Sequence, residues 1–204
     1  SCIANQPIEH DYRKDYLTFE AVNDDTQIVF KTSDNNEATI RTIGVSKDMT
    51  NWESRTSSSE GVILGTLNAG EKLYLRGDNS SYGYFDEETG NLRYNFILPL
   101  NYCYVYGNIM SLISSTEYTT LTELTDNYTF YLLFYDYSGD YSGEFVLSHS
   151  EHKLVLPATS LTEGCYSNMF YNCSSLVTVP SDMLPATTLA EGCYSNMFYG
   201  CSRR

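Results

Sequence analysis

Over the first hundred positions, apolar and polar residues alternate in short runs separated by turn residues. "YLTFEAV" begins at Tyr16 and stops at the Asn23-Asp24-Asp25 turn. "QIVFKT" (27–32), "TIRTIGVS" (39–46), "GVILGTL" (61–67), "KLYLRG" (72–77), "RYNFILPL" (93–100) and "YCYVYG" (102–107) follow, with Asp48-Met49-Thr50-Asn51 and Asn68-Ala69-Gly70 as turn signals between them. A period of two places successive side chains on opposite faces, so each run predicts a strand with a buried face. No long segment before residue 110 has helical period. Short strands at regular spacing predict an antiparallel β-sandwich over residues 15–110. Residues 1–14 are polar and mixed, and read as a tether.

The pattern changes in residues 111–204. "LPATSLTEGCYSNMFYNCSSL" begins at Leu156 and "LPATTLAEGCYSNMFYGCSRR" at Leu184, an offset of 28 residues, with 16 of 21 positions identical. A fixed period of this size predicts a solenoid, because each unit buries its open face on the next. The repeats span 156–183 and 184–204. A weaker copy in "TLTELTDNYTFYLLFYDYSG" sets Phe130, Tyr131, Leu133 and Phe134 where Tyr166, Ser167, Met169 and Phe170 later stand. This copy reads as an entry cap over 121–134, and a Tyr-, Gly- and Ser-rich insertion at 135–153 separates it from the first full repeat. The whole is expected to be mainly β with α/β repeats.

Four of the six cysteines lie inside the repeats: Cys165, Cys173, Cys193 and Cys201. Structural zinc sites use closely paired ligands, and the eight-residue separation of Cys165 from Cys173 does not supply them. Stacked coils would bring Cys165 to Cys193 and Cys173 to Cys201 within disulfide distance, but equivalent side chains point the same way and their Cβ vectors do not converge. The remaining reading is packing, since a free cysteine is a small, mostly buried hydrophobe. Leu161, Cys165, Met169, Phe170, Cys173 and Leu176 recur at three-to-four-residue spacing, which predicts the inward stripe of a short helical turn. Leu189, Cys193, Met197, Phe198 and Cys201 repeat it in register.

These words resemble the leucine-rich repeats of the BspA type found in surface proteins of gut and oral anaerobes. The likeness rests on a Leu-Pro strand, an apolar stretch ending in Phe, and a Cys-Ser-Ser-Leu exit, as in Leu156 to Leu176. "DYLTFEAV", "VSKDMTNWES", "LNAGEKLYLRGDNSSYG" and "VYGNIMSLI" are similar to the β-rich domain that precedes such repeats. The second repeat departs from the pattern at Arg203-Arg204, and the entry copy is interrupted by the insertion. The resemblance implies a cell-surface protein that binds host extracellular proteins, other bacteria or glycans.

Charge and composition narrow the chemistry. The formal net charge is −14, with no basic stripe, which disfavours a nucleic-acid partner. Nineteen tyrosines suit half-buried strands and contact surfaces alike. Ser1-Cys2-Ile3-Ala4-Asn5 is similar to the processed start of a bacterial lipoprotein, so Cys2 is the expected lipid attachment and the only expected link to a membrane. The expected location is the cell surface, as an outer-membrane lipoprotein, or outside the cell. His149-Ser150-Glu151-His152 lacks the order of a zinc hydrolase helix, and residues 78–90 lack the ligands of a calcium loop at Tyr82 and Thr89. No nucleophile–base pairing and no phosphate-binding glycine loop stands out, so no catalytic residue, metal or cofactor is expected.

Two functions compete. The first is non-enzymatic adhesion through the repeats, with end-to-end self-association through the last coil as an option. The second is carbohydrate binding by the β-sandwich, with Trp52, Tyr82, Tyr84 and Phe85 as candidate ligand contacts. Trp52 reads equally as a core plug, the commoner fate of a lone Trp in such folds.

Overall fold

The computed structural model of the chain describes residues 8–176 and 178–201. Eleven strands are formed: β1 Leu17–Ala21, β2 Thr26–Thr32, β3 Thr42–Ser46, β4 Glu53–Thr56, β5 Val62–Leu67, β6 Lys72–Gly77, β7 Gly83–Asp86, β8 Asn91–Pro99, β9 Cys103–Asn108, β10 Val146–Leu147 and β11 Leu154–Val155. Every alternating run of the sequence is a strand. β4 and β7 are additional; both have four residues, too few for an alternation to register.

Two sheets face one core. The first runs β10-β9-β1-β6-β3-β4, with β11 also pairing β9, and the second runs β5-β2-β8-β7. Pairing among β1 to β9 is antiparallel. β10 and β11 lie parallel to β9, so the first sheet is mixed. Strand β6 shows the alternation at its clearest: Leu73 and Leu75 point inward, and Lys72, Tyr74 and Arg76 outward. By contrast Ile28, Val29 and Phe30 of β2 are all buried, because the second sheet is covered on both sides. Tyr141 from the segment after the first coil packs on Phe96 there, with ring centroids 5.9 Å apart.

Two features cross the expected division. The end of the 135–153 insertion supplies β10, and the chain beyond it supplies β11, to the first sheet. Residues 109–112, at the junction expected between the halves, are a buried 3-10 turn. The two halves share one core: Phe134 meets Phe19 at 6.4 Å, and Phe130 stacks on Tyr82 at 6.3 Å.

The repeated words form three stacked coils at 128–135, 163–173 and 191–201. The helical turn expected from their spacing is absent, and the coils are chains of tight turns instead. Left-handed backbone recurs at every fourth residue: Tyr128 and Leu132; Gly164, Asn168 and Asn172; Gly192, Asn196 and Gly200. Glycine and asparagine tolerate that conformation, and they break any helix that the apolar spacing would otherwise favour. Odd-numbered N–H groups bond within the coil, as Ser167 does to the Gly164 carbonyl and Met169 to the Tyr166 carbonyl. Even-numbered N–H groups reach the next coil. Tyr128, Phe130, Leu132 and Phe134 donate to the carbonyls of Glu163, Cys165, Ser167 and Met169, at 2.8–3.2 Å. Gly164, Tyr166, Asn168, Phe170 and Asn172 donate in turn to Glu191, Cys193, Ser195, Met197 and Tyr199, at 2.7–3.0 Å. The first coil is fixed from behind, because Ile97 of β8 donates to the Leu133 carbonyl and Tyr82 to the Thr129 carbonyl.

Candidate functional site

The coils place equivalent aromatic residues in columns. Phe130, Tyr166 and Tyr194 stack at 6.0 Å spacing with nearly parallel planes. Phe134, Phe170 and Phe198 stack at 5.1 and 5.5 Å. Cys165, Met169, Phe170, Cys173, Cys193, Met197 and Cys201 are buried as expected, and Leu161 and Phe198 are half-buried against the same core. Leu189 is the exception. It is 58% exposed, whereas its counterpart Leu161 packs against the core.

The cysteines serve packing. Cys173 Sγ donates to the Phe134 carbonyl at 3.4 Å, and Cys201 Sγ to the Phe170 carbonyl at 3.3 Å, each one coil back. Cys165, Cys173 and Cys193 are unbridged thiols. Burial pushes the Cys165 thiol up to about 11, and raises Cys173 well above the ordinary thiol range. Neither is a nucleophile near neutral pH. Cys2 lies outside the described residues.

A third column reaches the surface, with Tyr135 and Tyr171 half-buried and Tyr199 exposed. Tyr135, Tyr171 and Tyr199 present one ring per coil, with centroids 4.8 and 4.7 Å apart, and Tyr137 stands beside Tyr135 at 6.5 Å. Tyr137 is 75% and Tyr199 55% exposed. This ladder went unread in the sequence; its signal was the Tyr that follows the Phe in each copy of the repeated word.

The four expected ligand contacts separate. Tyr82 is fully buried, contrary to expectation. Its hydroxyl donates to the Leu112 carbonyl at 2.6 Å and accepts from Asn79 Nδ2 at 3.1 Å, and burial pushes its pKa up strongly. It stitches the second sheet to the segment after β9. Trp52 is half-buried and not part of the core. The Arg76 guanidinium lies over its ring at 3.9 Å and Tyr16 meets it edge-on at 5.0 Å, so its face is already occupied. Tyr84 and Phe85 do reach solvent. They border a polar groove shared with Arg41, Asp126 and Glu163, where Phe85 lies 6.4 Å from Tyr128 of the first coil.

Sequence reasoning missed two further features. The first is Asn95, fully buried on β8, which donates to the carbonyls of Thr39 and Tyr82 and accepts from Ser57 Oγ. An Asn inside an apolar run was its only signal. The second is the gathering of His10 with the sequence neighbours His149 and His152 into one aromatic cluster. His149 and His152 lie 4.3 Å apart, His152 stacks on Tyr106 at 4.9 Å, and His10 meets Tyr12 at 4.6 Å. Among the described residues, no group of His, Cys, Asp or Glu is placed to hold a metal ion. No helix among them is long and apolar enough to cross a membrane. No family model, curated protein or solved structure matches the chain.

Proposed function

We propose that the chain is a non-enzymatic binding protein of the cell surface, built as a β-sandwich with a short leucine-rich-repeat solenoid of the BspA type. The tyrosine ladder, exposed at Tyr137 and Tyr199 and half-buried at Tyr135 and Tyr171, carries this reading. Rings at Tyr135, Tyr137, Tyr171 and Tyr199 form a continuous aromatic surface fixed by the coil ladder beneath. Tyrosine supplies large contact area at low entropic cost and is enriched at protein interfaces. The partner is a protein or glycan on a host or bacterial surface, and attachment through Cys2, or release from the cell, sets the location. The test is adhesion of beads coated with the chain to host matrix proteins and to bacterial cells. Adhesion should fall sharply in a Tyr171→Ser, Tyr199→Ser double variant that keeps the wild-type melting profile. Unchanged adhesion in that variant would remove the ladder from the interface.

A second reading, carbohydrate binding by the sandwich, is favoured by the outward face of the first sheet. Tyr74, Tyr104 and Tyr106 lie there with Thr18, Glu20 and Lys72.

A further inference from the structure

The outer face of the first sheet carries a trough of about 350 Å³. Its floor is Thr18 of β1. In register on either side stand Tyr74 of β6 and Tyr106 of β9. Between two large residues the small Thr leaves a furrow running along β1. Tyr16 and Asp15 close one end and Lys72 the other.

One wall is built with care. Tyr106 donates to Glu20 Oε1 at 2.8 Å, which fixes its ring, and His152 stacks on it. The Tyr12 hydroxyl donates to the Glu151 carbonyl at 2.8 Å, so its contact with His152 Nδ1 at 3.1 Å is one in which the imidazole gives the hydrogen. In the neutral ring that leaves Nε2 as an acceptor.

The opposite rim holds a strained residue. Met49 has φ +62° and is 51% exposed. The turn that holds it is over-determined: Asp48 accepts from the N–H groups of Thr50 and Asn51, from Asn51 Nδ2 and from Ser46 Oγ. These bonds hold the Asp48 carboxyl well below the usual carboxylate range. An apolar side chain kept exposed, at a conformational cost, over the mouth of a trough is placed for contact.

We propose that this trough binds a neutral pyranose sugar, as one unit of a glycan. This rests on the carbohydrate-binding reading. Tyr106 lies buried beneath His152 and Thr18 is buried in the floor, so the half-buried Tyr74 and Tyr16 rings and the exposed Met49 thioether are what offer apolar surface to the C–H face of a sugar. Asp15, Lys14, Lys72 and the Tyr74 hydroxyl offer acceptors and donors to its hydroxyls. The size falls within the range of small-ligand pockets, about 300–1,000 Å³. Charge selects a neutral ligand: in a chain of net charge −14, Lys14 and Lys72 here balance Asp15 and Glu20.

The single tryptophan reports binding, because Trp52 touches Tyr16, which lines the trough. The experiment titrates neutral oligosaccharides of glucose, mannose, galactose and N-acetylglucosamine against Trp emission and tyrosine ring resonances, with polygalacturonate and heparin fragments as charged controls. At least one neutral series should bind in the millimolar range or tighter, and the charged controls should bind more weakly. Tyr74→Ala should weaken that binding about tenfold or more through lost stacking and burial. Met49→Gly relieves the backbone strain, so it should fold at least as well and still bind more weakly. Tyr84→Ala, remote from the trough, should bind as wild type. If no neutral sugar binds, both the proposal and the carbohydrate reading fall. If a sugar binds equally well to wild type, Tyr74→Ala and Met49→Gly, the reading survives and the trough is the wrong site.

Discussion

The ring of Tyr128 occupies the space into which a Cβ on Gly164 would project. The same glycine of the next repeat, Gly192, has nothing within 4 Å of that position, because the residue behind it is Gly164 itself. Both have φ +61°. Gly192→Ala should therefore cost only the left-handed backbone penalty, about 1–2 kcal/mol. Gly164→Ala adds displacement of Tyr128 and should cost clearly more. Urea denaturation of the two variants checks this, and equal costs would contradict the packing.

Phe170 is fully buried between Phe134 and Phe198. Phe170→Ala should cost about 3–5 kcal/mol from lost transfer energy and the cavity left behind. Phe198→Ala, with a stacking partner on one side and its ring half-exposed, should cost less. Thermal melts of both variants give the order.

Asn95→Ala should destabilise by about 1–3 kcal/mol, since it removes the side-chain partner of the Thr39 carbonyl and the acceptor of the Ser57 hydroxyl, while the Tyr82 carbonyl keeps the Asn95 backbone N–H. Asn95→Asp should be worse at neutral pH, where a buried carboxylate would replace the amide donor. Chemical denaturation at two pH values separates the effects.

The thiol of Cys165 is raised from an ordinary 9.0 to about 11 by burial. An acid kept neutral by folding adds stability below its unfolded value, which is lost as pH rises through the folded one. The unfolded chain releases this proton first, so stability should fall between pH 9 and 11. Cys165→Ala should flatten that part of the profile. In the native protein at neutral pH, Cys165 and Cys173 should resist alkylation and label fully after unfolding. Rapid native labelling would contradict their burial.

The strands were legible because alternation in Lys72–Gly77 writes burial directly into residue type, while in Leu17–Ala21 the residue types alternate although Thr18 is buried as well. The coils were legible as a repeat but not as a conformation. Their three-to-four-residue apolar spacing fits a helix, and the deciding signal was the glycine or asparagine at Gly164, Asn168 and Asn172. The return of Val146–Leu147 and Leu154–Val155 to the first sheet was hidden, since two-residue strands carry no period. Tyr82 misled because an aromatic residue in a polar stretch suggests exposure, while its hydroxyl found a buried carbonyl at Leu112. The trough was beyond the sequence: Tyr74, Tyr106, Met49 and His152 converge only through strand register.

Among the described residues, all nine backbone bonds between coils run the same way, with the N–H toward the later coil. Peptide dipoles so aligned add, and the stack acquires an electrical axis across its coils, negative toward β8 and positive on the third coil. Among the described residues, the N–H groups of Gly192, Tyr194, Asn196, Phe198 and Gly200 find no backbone acceptor. In a chain of net charge −14 this rim is a polar minority of opposite sense. Two identical rims set face to face would oppose donor to donor, which disfavours a symmetric tail-to-tail pair made through backbone bonds. A neighbour that bonds to the third coil's backbone N–H groups has to arrive carbonyl-first, which gives the stack a direction.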